Sequence, residues 1–140
     1  MSNGEVVAPE YEALDRDPWG VAGARGQVVR IPEEDELFLD LDTEEQYAQF
    51  GVQVAMLNRL LAQAAPEAPA FFVLAEERPS RRGLPHRHVV VRCARDLQSP
   101  LERVLLQAVL GSDPKREALD WVRIVTGSHT PSVFFETPGE

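Results

Sequence analysis

Hydrophobic and polar positions alternate strictly over residues 37–42. Leu37, Leu39 and Leu41 fall on one side, Phe38, Asp40 and Asp42 on the other. This period of two predicts a β-strand with a leucine row facing a core and two carboxylates leaving the opposite face together. Residues 44–64 change to helical spacing, with Tyr47, Phe50, Val54, Leu57, Leu61 and Ala64 forming one apolar stripe. Thr43 and Gln46 have the spacing of a capping box, and Pro66 and Pro69 end the helix. Phe71–Ala75 reads as a buried strand, residues 76–87 as a polar loop, and His88–Ala94 as a further strand, antiparallel to its predecessor. Ser99-Pro100-Leu101-Glu102 is a second helix start, followed by an apolar face of Leu101, Val104, Leu105, Ala108 and Val109 that stops at Gly111. Ser112 or Asp113, ahead of Pro114, opens a third helix containing Ala118, Trp121, Val122 and Val125, and residues 132–136 make a last strand.

The order strand, helix, strand, strand, helix pair, strand is the split βαβ pattern of an α+β sandwich of ferredoxin-like or RRM-like type. The expected sheet is antiparallel, with helices on one face and the other face free for ligand. Its first and third strands are central neighbours, which brings Asp40 and Asp42 towards His86 and His88. Residues 1–30, rich in Gly, Pro, Ala and charge, read as an irregular arm, with Trp19 and Val28-Val29 available to pack on the body, as an edge strand among the options. Residues 31–140 form the single domain that a chain of 140 residues accommodates.

Composition narrows the class. A hydrophobic fraction of 44% belongs to an ordinary globular protein, and no apolar run has the length of a membrane span. One cysteine, Cys93, excludes a disulfide framework and a cysteine-based zinc site. No signal-peptide pattern opens the chain, so the expected location is cytoplasmic, with no membrane partner. A net charge of −9 argues against a protein that coats nucleic acid. The charge is segregated, however. Acids dominate residues 33–45, and Arg78, Arg81, Arg82, Arg87, Arg92 and Arg95 cluster further on.

Segregation gives the acidic pair a chemical reading. Neighbouring carboxylates repel unless a cation lies between them, and oxygen-only ligands suit Mg²⁺ or Mn²⁺. The loop Pro79-Ser80-Arg81-Arg82-Gly83-Leu84-Pro85-His86-Arg87-His88 adds a hydroxyl, guanidinium groups and two imidazoles, each able to contact phosphate. Taken singly, the first element equally describes a strand running into a solvated cap, and the second an exposed basic hairpin. Together they favour a nucleotide-handling site.

In order and spacing these segments resemble the archaeo-eukaryotic primase superfamily, which includes the primase-polymerases. Asp40-Leu41-Asp42 matches its first motif, two acids around a hydrophobic residue. Ser80 through His86 or His88 matches the second, a small residue and a histidine; His88 is preferred because it leads straight into Val89-Val90-Val91. The third motif is a single acid, assigned to Asp113 with Asp120 as the fallback, and it precedes Arg123-Ile124-Val125-Thr126-Gly127-Ser128. The resemblance spans roughly residues 35 to 136 and implies a DNA-templated nucleotidyltransferase. Asp40, Asp42 and Asp113 would hold two divalent ions, Mg²⁺ or Mn²⁺. Ser80, Arg82, His86, His88 and Arg123 would contact the nucleoside triphosphate. Single-stranded DNA would be the template, and a helicase or other replication protein a further partner, as for the small replication proteins common in phages and plasmids.

Other readings compete. His86-Arg87-His88 on a central strand is similar to the HUH replication endonucleases, but the residue between the histidines is charged and both tyrosines, Tyr11 and Tyr47, lie upstream. The two histidines with a carboxylate could form a transition-metal triad. A non-catalytic RRM-like module that binds a nucleotide or a partner belongs to a different class; small size and acidic balance favour it.

Overall fold

The computed structural model describes residues 17–78, 80, 82–127 and 132–136. Nine elements follow one another: α1 (Pro18–Ala24), β1 (Val28–Arg30), β2 (Glu36–Leu41), α2 (Glu44–Ala64), β3 (Phe72–Arg78), β4 (Arg87–Cys93), α3 (Pro100–Val109), α4 (Pro114–Val125) and β5 (Phe134–Glu136). Among the described residues the fold is mixed α+β, with antiparallel sheets and four helices, and is compatible with a split βαβ architecture. No helix among the described residues is long and apolar enough to cross a membrane.

Local signals act where the sequence places them. Thr43 accepts from the Gln46 N–H while the Gln46 side chain takes the Thr43 N–H, closing the capping box of α2. Ser99 caps α3 and Asp113 caps α4, each with proline in the first turn. In β2 the alternation is complete: Leu37, Leu39 and Leu41 pack with Phe50, Val89, Val91, Cys93 and Leu110 in the main core. Phe38, on the opposite face, packs with Val90 and Phe134. Burial pushes the Cys93 thiol up to about 11, so it is an inert core group.

The main sheet has the order β2-β4-β3, all antiparallel, with Asp40 directly opposite His88. Four expectations need correction. The segment read as irregular contains α1, because Asp17 caps the Trp19 N–H and Pro18 occupies the first turn. β3 is not buried: as an outer strand it shelters only Phe72, and leaves Val73 and Leu74 exposed. β5 does not join the main sheet but pairs with β1 in a separate two-stranded ribbon. This ribbon carries Phe134 onto the sheet face expected to be free, where its ring stacks on Phe38 at 4.3 Å and on His88 at 4.1 Å.

The fourth concerns the α3–α4 hairpin. Its inward face mixes buried Val104 and the core-packed Leu106 with fully buried Gln107, whereas Leu101, Leu105 and Val109, expected on the apolar face with Val104, are exposed. The cause is the outer edge of β2, whose backbone groups need partners. The Phe38 N–H donates to Gln107 Oε1 (2.8 Å) and the Asp40 N–H to Ser112 Oγ (3.0 Å). Arg103 and Arg116 donate to the Glu36 and Phe38 carbonyls, and the Asp113 N–H donates to the Asp40 carbonyl at 2.7 Å. Side chains of a helix hairpin thus replace a neighbouring strand.

Candidate functional site

This edge pairing builds the acidic site. Asp40 lies near the end of β2, its main chain fixed on both sides by Ser112 and Asp113. Asp42 follows the strand, its N–H bound to Gln46 Oε1 at 2.6 Å. Asp113 spends its carboxylate on the Lys115 N–H as the cap of α4, while its own N–H anchors it to Asp40. One carboxylate oxygen from each of Asp40, Asp42 and Asp113 lies within 4.8 Å of the others, and all three residues are partly buried. This is a hard, oxygen-only donor set of the kind that takes Mg²⁺ or Mn²⁺. Asp120, the fallback third acid, is not part of this group but lines the same cleft: it is buried, accepting from Arg123 at 3.0 Å and from Ser132 at 2.8 Å.

Burial, reinforced by Asp42 and Asp113, pushes the Asp40 carboxyl up from 3.8 to about 6 against the opposing pull of Arg116 and Arg82. His88 moves the other way. Burial and then Arg116 hold its imidazole down at about 4, so it is neutral at pH 7. Its Nε2 lies 4.0 Å from Asp40 Oδ1, and its buried Nδ1 has no hydrogen-bond partner among the described residues.

Asp42 is already engaged. Its Oδ1 accepts from Arg82 Nη2 at 2.7 Å and lies 3.1 Å from His86 Nδ1. The same histidine nitrogen lies 2.9 Å from Arg82 Nη2, so it faces a fixed donor and a fixed acceptor at once. The loop turns at Gly83, whose φ of 70° suits glycine, and the Gly83 N–H returns to the Ser80 carbonyl. The Ser80 hydroxyl is 3.4 Å from the Arg82 N–H and serves this turn.

Beside the acids lies a cleft of about 340 Å³, lined by Asp40, His88, Asp113, Arg116, Arg123 and Phe134 among others. Lys115 and Arg25 add further cations to its wall. The site residues expected from sequence therefore divide. Asp40, His88, Asp113, Arg123 and the fallback acid Asp120 share the cleft; Asp42, Arg82 and His86 form a contact cluster beside it; Ser80 stays in its turn. Ser128 lies outside the described residues, as does Arg81.

Sequence reasoning missed Arg116, Ser112, Glu117, Gln107 and Phe134. Arg116 Nη1 donates to the Phe38 carbonyl (2.7 Å) and to Glu117 Oε2 (2.8 Å), and its buried Nη2 has no partner among the described residues. One signal was available: Lys115-Arg116 puts two cations in the first turn of a helix, where the macrodipole disfavours them.

The two titrations oppose each other in stability. Between 3.8 and about 6 native Asp40 holds more proton than the unfolded chain, so stability falls as pH rises through that window. Between about 4 and 6.5 the unfolded chain holds more proton at His88, so stability there rises with pH. In metal-free buffer, Asp40→Asn should stabilise the protein at pH 8 by on the order of 1–2 kcal/mol and by little at pH 4. Urea melts at both values check this; an equal effect at both would remove the charge explanation.

No family model, curated protein or solved structure matches the chain.

Proposed function

We propose that this protein is a metal-dependent nucleotidyltransferase of primase-polymerase type, acting on single-stranded DNA. The observation that carries the reading is the convergence of Asp40, Asp42 and Asp113 beside a cleft whose wall is rich in guanidinium and ammonium groups. Half-buried acids with a raised carboxyl, next to several cations, form the charge pattern that a nucleoside triphosphate and its counter-ions complement. Divalent ions, Mg²⁺ or Mn²⁺, when bound, supply activation of a 3′-hydroxyl and neutralisation of phosphate charge.

The remaining work falls to the chain's own groups. Asp40, Asp42 and Asp113 provide the oxygen ligands. Arg116, Arg123 and Lys115 present positive charge to the phosphates, with Arg116 held rigid by Phe38 and Glu117. Neutral His88, pinned by the Phe134 ring, offers a hydrogen bond without adding charge. Arg82 and His86 hold Asp42, so a cation binding at Asp42 would compete with them and free both for phosphate. A template strand approaches past this loop, since Phe134 and the β1–β5 ribbon occupy part of the sheet face. A helicase or another replication protein is the partner class that such an activity serves, and a cytoplasmic location suits it.

A second reading, a non-catalytic nucleotide-binding module, is favoured by the engagement of Asp42 with Arg82 and His86. One assay separates the two: incorporation of labelled nucleotides on single-stranded DNA, with and without primer, in Mg²⁺, in Mn²⁺ and with chelator. Product that requires metal and template supports the transferase. A folded chain that binds nucleotide and yields no product under any of these conditions sinks it in favour of the module.

A further inference from the structure

The face of the main sheet beside the acids carries a ring slot. Phe38 and His88 stand on neighbouring strands and on one face, two positions apart in register, since Phe38 pairs with Val90 and His88 with Asp40. Diagonal side chains of this kind lie roughly 7–8 Å apart, which leaves room for one flat ring between them. Phe134 fills that room. Its plane lies 4° from that of Phe38 at a centroid distance of 4.3 Å, and 3° from that of His88 at 4.1 Å. Core rings more often meet edge to face or further apart, so two parallel contacts this close mark an inserted plane. The occupant is borrowed. Phe134 belongs to the β1–β5 ribbon, which pairs over three residues and, among the described residues, shares no backbone pairing with the main sheet. Besides the ring itself, Arg78 ties the ribbon down, donating to both Glu136 carboxylate oxygens at 3.0 Å.

A phenyl ring suits these surroundings poorly. Arg116 Cζ lies 5.4 Å from the centre of Phe134, at its rim because both faces are taken. Arg116 Nη2 and His88 Nδ1 are buried without a hydrogen-bond partner among the described residues, and a hydrocarbon ring can supply none. A nucleobase is equally flat, stacks on any aromatic face, and carries carbonyl and ring-nitrogen acceptors at its rim. We propose that the slot between Phe38 and His88 takes the base of a nucleotide, and that Phe134 is an intramolecular plug which the base displaces. The inference rests on the nucleotide reading of the adjoining cleft, whose wall includes His88 and Phe134 beside Asp40, Asp113 and Arg116. A base in the slot is therefore next to the groups assigned to its phosphates. Ribbon closure and base binding exclude each other, so the chain's apparent affinity is lowered by the fraction of molecules that are closed.

Calorimetric binding of ATP, of an oligo-dA strand and of inorganic tripolyphosphate to the full chain in Mg²⁺ tests the slot apart from any turnover. Phe134→Ala empties the slot and should tighten binding of a base-bearing ligand on the order of tenfold, leaving tripolyphosphate binding unchanged. Glu136→Gln cuts the tie to Arg78, keeps the core ring, and should act in the same direction by a smaller factor. A gain with ATP assigns the slot to the free nucleotide and a gain with the oligomer assigns it to the strand; both uphold it. In the unmodified protein, hydrogen exchange should quicken in residues 134–136 and slow in residues 88–91 as the base-bearing ligand is added, which decides the matter if the variants lose structure. No base-dependent gain in a folded variant, or a ribbon that exchanges more slowly with ligand, overturns the plug. Incorporated product without such a gain rejects the slot and keeps the transferase. The gain without product keeps the slot and favours the binding module.

Discussion

Replacing Asp40 by alanine should lower metal-dependent nucleotide incorporation by about a thousandfold or more and leave the fold intact. The magnitude follows from the several kcal/mol that a properly held cation contributes at a phosphoryl centre, each 1.4 kcal/mol being tenfold in rate. The fold survives because Asp40 secures β2 through its main chain. Its N–H to Ser112 and its carbonyl from Asp113 persist in alanine. The carboxylate itself is held uphill by burial and by Asp42. The variant should therefore melt no lower than the parent at neutral pH. Adding Asp42→Ala should bring little further loss, because ligands of one cation act as a unit. A folded Asp40→Ala protein that turns over at the parental rate would exclude the acidic triad from the chemistry. In a binding module the same change should leave phosphate affinity unchanged or improved, through removal of a negative charge.

Gln107→Ala should destabilise the protein by about 3–5 kcal/mol, a large share of the total for a domain of this size. Gln107 has no solvent exposure and joins three elements. It accepts from the Phe38 N–H of β2 and donates to Glu117 of α4 at 2.8 Å and to Ser132 ahead of β5 at 3.1 Å. Truncation strands the Phe38 N–H in a buried place and takes a donor from a carboxyl that burial already pushes up. It also leaves a cavity. Gln107→Met restores most of the volume but none of the hydrogen bonds, so it should fall between. Equilibrium urea unfolding of the three proteins gives the comparison; a loss below about 1 kcal/mol for alanine would mean the edge is repaired by other groups.

The parts of this architecture that sequence discloses are those written in local patterns. Alternation at 37–42 separated the Leu37–Leu41 row from Phe38, Asp40 and Asp42, and one-residue turn signals located Thr43 and Ser99 as caps and narrowed the next to Ser112 or Asp113. Topology brought Asp40 and Asp42 towards His86 and His88, and the register sets Asp40 opposite His88. Asp113 was legible as a cap, and its proximity to Asp40 comes from a main-chain bond that no local pattern encodes. Gln107 and Arg116 were illegible for a related reason. A helix with Leu101, Leu105 and Val109 on one face looks as though that face turns inward. The unpaired edge of β2 reverses the choice, because unsatisfied peptide groups cost more than exposed methyls. The destination of β5 depends likewise on β1: Val28-Val29 was legible as an edge strand, but no local pattern names its partner.

The side-chain edging of β2 bears on how this protein behaves when it is stressed. Glu36–Leu41 is a short strand of four large apolar residues and two acids whose outer edge, once bare, offers unpaired peptide groups to another strand. Gln107, Ser112, Arg103 and Arg116 keep that edge covered, and all four belong to the α3–α4 hairpin or its turn. Solubility is thus tied to the docking of one hairpin. Heating or substitution that loosens it exposes a ready template for strand addition before the rest of the core has melted. Anything that draws Asp113 more firmly onto Asp40 acts against aggregation as well.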